Sequence, residues 1–524
     1  MSTVTTTSTP ATRTPAGRGS PHPAPWGRLW SQPAAGLLLA GLAAAALGVL
    51  HALVMPRGPV TAWHVVLGLV SGAVVGVLGG LVSGSRWALL VQPLAYVAAV
   101  EIARLPVVGP SVDAPRPGDM LGLIVLVTGR GTHALVVLLP LLVGAAIGAG
   151  WARRLRGTPV RPGRWHTVSR AVRRGVVAVL ATGLALVGFA LTRPGSTDPI
   201  LGPDGAPLPG SVAELARVEL GGHEQTVLLR GRSASAPVLL YLAGGPGQSD
   251  LGYVRSYLPD LEDHVVLAVW DQRGTGTSYD ALDPTDTWTL EQAVADTVAL
   301  SEYLADRFGQ ERIYLFGNSW GTLLGVLAVQ ARPDLFAAYV GAGQMVSPLE
   351  TDRRINAAAR DLAARTGDVA LAEQVRSWGP PPYDDVYAYG ALVTLYDRLE
   401  PYDRSDYFSS HRPGGIDGNG ASEYGPLDKV NKLRALADMG AVMYPQVQTL
   451  DLRVVAPRLE VPVYLVAGTH ELTARSDLAR EWFDDLRAPA KRWVDFPESG
   501  HVPQFEEAPR FVRLIVDEVV PQTS

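Results

Sequence analysis

The 524-residue chain predicts an all-α transmembrane region followed by an α/β domain with a doubly wound, mostly parallel sheet and a helical cap inserted into it. Three observations predict this. Five apolar runs crowd into the first 192 residues, strand-like and helix-like segments alternate after residue 210, and the alternation lapses between about 347 and 458.

Charge divides the chain at the same place. The part before Asp198 holds 17 Arg, no Lys and three acids (Glu101, Asp113, Asp119), a net charge of +14. The whole chain carries -5, so the remainder is acidic at -19. Basic apolar sequence followed by acidic mixed sequence is the pattern of a membrane region joined to a water-facing domain. No basic patch interleaved with aromatics occurs, which argues against a nucleic-acid partner. Cysteine is absent, which excludes disulfides, thiolate metal sites and a Cys nucleophile together.

Residues 1–27 are rich in Ser, Thr, Pro and Ala without apolar period, and are expected to form a disordered tail. Region 28–194 is expected to hold about five transmembrane helices, near 34–55, 61–83, 87–108, 133–151 and 173–192, each close to the ~20 residues a crossing needs. The apolar piece Met120 to Thr128 is too short to span and reads as re-entrant or as part of a loop. Glu101 and Arg104, one helical turn apart, are the charges set well inside an apolar run, as a snorkelling or paired interfacial site would be. Eight arginines between Trp151 and Gly175, with no acid, place that loop in the cytoplasm by the positive-inside rule. Counting crossings from there puts the domain after Arg193 outside the cell membrane, with Arg57, Arg104, Arg116 and Arg130 on the outer side.

Residues 195–210 are Pro/Gly-rich and read as a linker. The core is expected over 211–346 and 459–524. Ala216–Leu220 and Gln225–Leu229 suggest a hairpin; Val238–Leu242, Val265–Trp270, Ile313–Phe316, Ala338–Gly341, Val463–Ala467 and Arg492–Phe496 suggest central strands. Leu290–Phe308 has a helical apolar period, and Trp320–Gln330 follows its strand after a very short turn. The block 347–458, rich in Asp, Arg, Tyr and Ala, reads as a helical cap over the edge where the loops gather.

The chemistry centres on Gly317-Asn318-Ser319-Trp320-Gly321, between an apolar strand and a helix. A sharp strand-to-helix turn needs small residues on both sides and sets Ser319 at the positive end of a helix, where an oxyanion is stabilised. Leu242-Ala243-Gly244-Gly245-Pro246-Gly247 follows a strand where main-chain N–H groups of Gly245 and Trp320 can meet that oxyanion. Ser499-Gly500-His501 follows the last strand, where the general base belongs in the chain order Ser, acid, His. The acid should follow the preceding strand; Glu471 can orient His501, with Asp477 as its rival.

These runs, together with Trp270-Asp271-Gln272-Arg273-Gly274-Thr275-Gly276-Thr277-Ser278, resemble the proline iminopeptidase family of α/β-hydrolases over about 230–524. The resemblance implies Ser319 as nucleophile, His501 as general base, Gly245 and Trp320 as oxyanion donors, and Asp271 and Arg273 as braces of the neighbouring loop. It departs at Ala243, where the family usually has His, and at Glu471, where it usually has Asp. In that family cap carboxylates hold the substrate's amino terminus; here Glu350, Asp352, Asp384, Asp385, Asp403 and Asp406 are available.

The resulting expectation is a membrane-anchored serine hydrolase, an aminopeptidase releasing N-terminal residues from short peptides, with no metal or organic cofactor. A carboxylesterase or lipase acting on small or membrane-derived esters would use the same residues. A membrane sensor or scaffold whose hydrolase domain only binds is the non-enzymatic alternative. A Ser nucleophile argues against dehalogenase and epoxide-hydrolase chemistry, which in this fold use Asp.

Overall fold

The computed structural model describes residues 30–113, 115–156, 164–415 and 418–523. The expected tail over 1–27 lies outside them, as does part of the arginine-rich loop, 157–163. Eight strands form one sheet: β1 (Val212–Leu220), β2 (His223–Gly231), β3 (Val238–Leu242), β4 (Val266–Asp271), β5 (Ile313–Asn318), β6 (Phe336–Ala342), β7 (Val463–Gly468) and β8 (Lys491–Phe496). Their order is β1-β2-β4-β3-β5-β6-β7-β8. β1 pairs antiparallel with β2, and β2 antiparallel with β4; the other pairs are parallel. The run Arg492–Phe496 is therefore an edge strand rather than a central one, and its outer residues are correspondingly exposed.

The β-strand period of two explains how one sheet serves two cores. Leu240, Leu242 and Leu315 face one cluster with Trp270, Trp320 and Trp482. Leu239, Tyr241, Tyr314 and Phe316 face the other, with Phe505 and Phe511. Strands buried on both faces read as unbroken apolar runs, as these do. The helix Leu290–Phe308 is bounded as its sequence dictates: the Thr289 side chain accepts from the N–H of Gln292, and Gly309 ends it in left-handed conformation at φ 62°. The strand order reverses at β3, and in open α/β sheets the crevice at the carboxyl ends of the strands at such a switch point binds ligands.

Between β6 and β7 the chain forms helices, including Pro348–Thr366, Val369–Trp378, Val386–Val393 and Pro426–Val447. Residues 195–197 run along this cap: the N–H of Ser196 donates to Ser422 O at 2.9 Å and Thr197 Oγ1 to Glu423 at 3.0 Å. The linker is thus held against the domain.

In the N-terminal region, helices Pro33–Val54, Ala62–Ser83, Met120–Leu155 and Arg174–Leu191 (the apolar end of helix Arg164–Leu191) are long and apolar enough to cross a membrane. Their outer faces expose Leu42, Leu53, Trp63 and Phe189, apolar area that the described residues of this chain leave uncovered. Two expectations are corrected. Met120–Thr128 is neither re-entrant nor part of a loop; it begins a continuous 36-residue helix, roughly 54 Å long at 1.5 Å per residue. That exceeds a ~30 Å hydrocarbon core, and the surplus packs against the cap helix Pro426–Val447. The run 87–108 yields only the 16-residue helix Ala88–Ala103, because Pro106 cannot continue it. Helices Ala62–Ser83 and Met120–Leu155 touch through small residues: a Cβ on Gly148 would lie 2.0 Å from Val77 O, so only glycine admits this approach.

Several polar groups inside the bundle are paired with one another. His51 Nδ1 is 2.8 Å from the Tyr96 hydroxyl, which is 2.6 Å from His133 Nε2. Arg104 reaches His133 Nδ1 at 2.5 Å, and Glu101 bridges Arg104 at 3.9 Å and Arg130 at 2.7 Å. The pair singled out in the sequence is one end of this chain.

The two regions meet through a buried ion cluster. Arg57, between the first two apolar helices, contacts Asp438 at 3.2 Å and Asp283 at 3.2 Å. The N–H of Ser111 donates to Asp438 at 2.9 Å. Arg434 donates to the carbonyls of Arg57 at 2.8 Å and Pro59 at 3.1 Å, and lies over the Tyr279 ring. Removing one partner of a buried pair leaves an uncompensated charge. Arg57→Met is therefore expected to destabilise the full chain by about 3–5 kcal/mol, read as a lower unfolding temperature in detergent. Arg217→Met, which breaks an exposed pair with Glu224, should move it little.

Candidate active site

The site is built where β5 turns into the helix Trp320–Ala331. Ser319 sits at that junction with φ 52° and ψ -117°, the one non-glycine residue at positive φ among the described residues. Such backbone costs about 1–3 kcal/mol and persists only where its surroundings enforce it. The flanking glycines show how. A Cβ on Gly317 would lie 2.4 Å from Gly321 O, and one on Gly321 would lie 2.2 Å from Leu242 O. The N–H of Ser319 donates to Ala342 O at 3.0 Å, and Thr322 returns its hydroxyl to Ser319 O at 2.5 Å.

His501 lies in the loop after β8 and Glu471 in the loop after β7. His501 Nδ1 is 2.6 Å from Glu471 Oε2. Glu471 is buried, which alone would favour its neutral form. The charge and hydrogen bond of His501, with Arg475, outweigh burial and hold its carboxyl below the ordinary range. Asp477, the rival, is exposed on helix Thr473–Asp485. The oxyanion-loop candidate Gly245 follows β3 at φ 116°. The loop abuts Ser319: a Cβ on Gly244 would be 3.4 Å from Ser319 Cβ. Trp320 opens the helix with its side chain fully buried.

Asp271 and Arg273 are both buried. Asp271 accepts from the N–H and hydroxyl of Thr277 at 2.8 and 2.7 Å, and from Ser249. Arg273 donates to Ala281 O at 2.6 Å and stacks on Trp288. They fasten loop 272–288. Between them lies a residue that sequence reasoning passed over: Gln272 accepts from Trp320 Nε1 at 2.9 Å and donates to Ala243 O at 3.3 Å. It ties the glycine loop after β3 to the start of the helix Trp320–Ala331.

Arg475 was also missed, and no motif announces it. Its Nη1 lies 3.3 Å from Ser319 Oγ and 3.5 Å from His501 Nε2, and its Nη2 donates to the Tyr396 hydroxyl. Burial opposes its charge, but Tyr396 and Glu471 outweigh burial and keep it protonated.

Of the six cap carboxylates, Asp352 alone lines the cavity beside Trp320, with Pro246, Tyr389, Tyr444 and Arg475. Glu350 pairs with Arg354, Asp385 caps its own helix and pairs with Arg116, and Asp384, Asp403 and Asp406 are exposed. The cavity has about 10 Å³ of free volume, room for roughly one water. A larger cleft of about 580 Å³, between Arg116 and the cap, includes none of Ser319, His501 or Glu471. Burial pushes the Asp352 carboxyl up from 3.8 to about 6, against the hydrogen bond from Tyr444.

Two outcomes follow from these contacts. Gly317→Ala should pry the turn open, costing about 1–3 kcal/mol and abolishing reaction of Ser319 with a fluorophosphonate. A carboxyl whose folded pKa is raised favours folding below its unfolded pKa and loses that contribution as pH rises through about 6. Asp352→Asn should therefore raise the unfolding temperature at pH 8, by a gain of up to about 3 kcal/mol, and the gain should vanish toward pH 4.

A family profile for the alpha/beta hydrolase fold matches residues 237–508. The probable aminopeptidase YbaC of Bacillus subtilis (strain 168) is 28% identical over 311 residues, covering 58% of this chain and 96% of that protein. The proline iminopeptidase of Lactobacillus delbrueckii subsp. lactis is 23% identical over 304 residues, covering 56% and 93%. A crystal structure of proline iminopeptidase from Mycobacterium smegmatis aligns at 20% identity with a TM-score of 0.43, covering 59% and 98%. With the eight-stranded sheet in place and the profile spanning just over half of its length, the chain belongs to the α/β-hydrolase fold family.

Proposed function

We propose that this protein is a membrane-anchored serine hydrolase working by acyl transfer, and that its substrates are short peptides from which it releases the N-terminal residue. The observation that carries the reading is the 2.6 Å contact between His501 Nδ1 and Glu471 Oε2, beside a serine held on a strained strand-to-helix turn. Glu471 fixes the tautomer that leaves Nε2 free to accept a proton. Ser319 Oγ attacks the carbonyl carbon as its proton passes to Nε2. The tetrahedral oxyanion is met by the N–H groups of Gly245 and Trp320 and by the positive helix end. Collapse expels the amine, which takes the proton from His501; water then enters by the same route and frees the acid and Ser319.

The choice of a peptide substrate is supported by one relative named a probable aminopeptidase and another named a proline iminopeptidase, and by Asp352, a buried carboxylate on the cavity wall whose charge would balance an α-ammonium. Four helices apolar enough to cross a membrane support anchoring. The arginine-rich segment 151–175 supports an extracytoplasmic hydrolase domain.

Ser319→Ala should lower kcat roughly 10⁴- to 10⁶-fold with little change in KM, measured on aminoacyl arylamides beside p-nitrophenyl esters. Turnover of esters without arylamides would move the function to an esterase. A membrane-impermeant fluorophosphonate should label intact cells; labelling only after lysis would reverse the topology.

A further inference from the structure

Arg475 occupies the place where the proposed proton transfer has to happen. Its Nη1 lies between Ser319 Oγ and His501 Nε2, at 3.3 and 3.5 Å. A guanidinium only donates hydrogen bonds, so in this arrangement it competes for the Nε2 lone pair that must accept the Ser319 proton and engages the oxygen that must attack. Catalysis requires Nη1 to withdraw.

Among the described residues no carboxylate pairs directly with this cation, although it is buried at 5% exposure. Among the described residues its hydrogen bonds go to the hydroxyls of Tyr396 and Ser319 and to an imidazole, and Nε has no partner. Glu471, the nearest carboxylate in charge terms, is already engaged by His501. A buried guanidinium without a paired carboxylate is a ready site for an anion, best met by the two oxygens of a carboxylate. It opens on the same small cavity as Asp352. One wall residue suits a carboxylate and another an ammonium.

We propose that Arg475 is a specificity-determining residue that binds a substrate carboxylate, so that the preferred substrates are peptides beginning with Asp or Glu. This rests on the aminopeptidase reading of Ser319. With the acyl carbon at Ser319 Oγ, a carboxylate two or three carbons away falls within reach of a guanidinium whose nearest nitrogen is 3.3 Å from that oxygen. Pairing with it draws Nη1 off Ser319 and His501, and the α-ammonium goes to Asp352. Neutral N-terminal residues supply no anion, so the guanidinium returns more often to the nucleophile and their turnover is slower.

The test uses the full chain in detergent. Glutamyl and aspartyl arylamides should be hydrolysed with kcat/KM at least about tenfold above alanyl and prolyl arylamides, and Arg475→Gln should erase that preference. Free L-glutamate should slow fluorophosphonate labelling of Ser319 in the wild type and not in Arg475→Gln, whereas L-alanine should slow neither. Labelling of the variant by fluorophosphonate certifies that its site is folded. Glutamate protection without arylamide turnover would support the anion site and overturn the peptide reading. Better turnover of neutral arylamides, with no glutamate protection, would overturn the anion site and leave the aminopeptidase standing. Arg475→Gln retaining the acidic preference would assign that preference elsewhere and overturn the proposal.

Discussion

The backbone of Ser319 is held at φ 52° because Gly317, Gly321 and Leu242 leave the chain no other path. Once β5 turns there, the helix Trp320–Ala331 must start at the next residue. That start aims the helix N-terminus at the Ser319 hydroxyl and lays the Trp320 ring in the core. Trp320 anchors Gln272, and Gln272 anchors Ala243 at the head of the glycine loop. A single strained residue thus sets the spacing between Ser319 and the glycine loop, and the sheet's packing energy holds the strain in place.

The cap helix Pro426–Val447 carries a second constraint. On one side Asp438 and Arg434 engage the loops of the N-terminal region. On the other, a Cβ on Gly247 would lie 2.6 Å from Ala435 O, and one on Gly274 would lie 2.4 Å from Met439 Sδ. The helix is wedged between the apolar bundle and the loops behind Ser319. Such contact gives the several helices a physical role that a single anchor would not fill: they support the cap from beneath.

Much of the fold was legible because both sheet faces are buried, so each strand reads as an apolar run between turn residues. The elbow was legible because close backbone approach demands glycine. Less readable were features that depend on partners far apart in sequence. The edge position of β8 follows from pairing order, and the continuity of Met120–Leu155 follows from support by the cap. Gln272 and Arg475 acquire meaning only through Trp320, Ala243, Ser319 and Tyr396, which lie between 29 and 156 residues away. Glu471, in the loop before helix Thr473–Asp485, meets His501, whereas Asp477 lies on an exposed face of that helix.

The acyl-transfer account is tested most directly by reacting the purified full chain with a fluorophosphonate and locating the adduct by peptide mass spectrometry. The account predicts one adduct, on the peptide containing Ser319, with a labelling rate that collapses in His501→Ala and falls in Glu471→Gln. An adduct on another residue, or an unchanged labelling rate in His501→Ala, would contradict it.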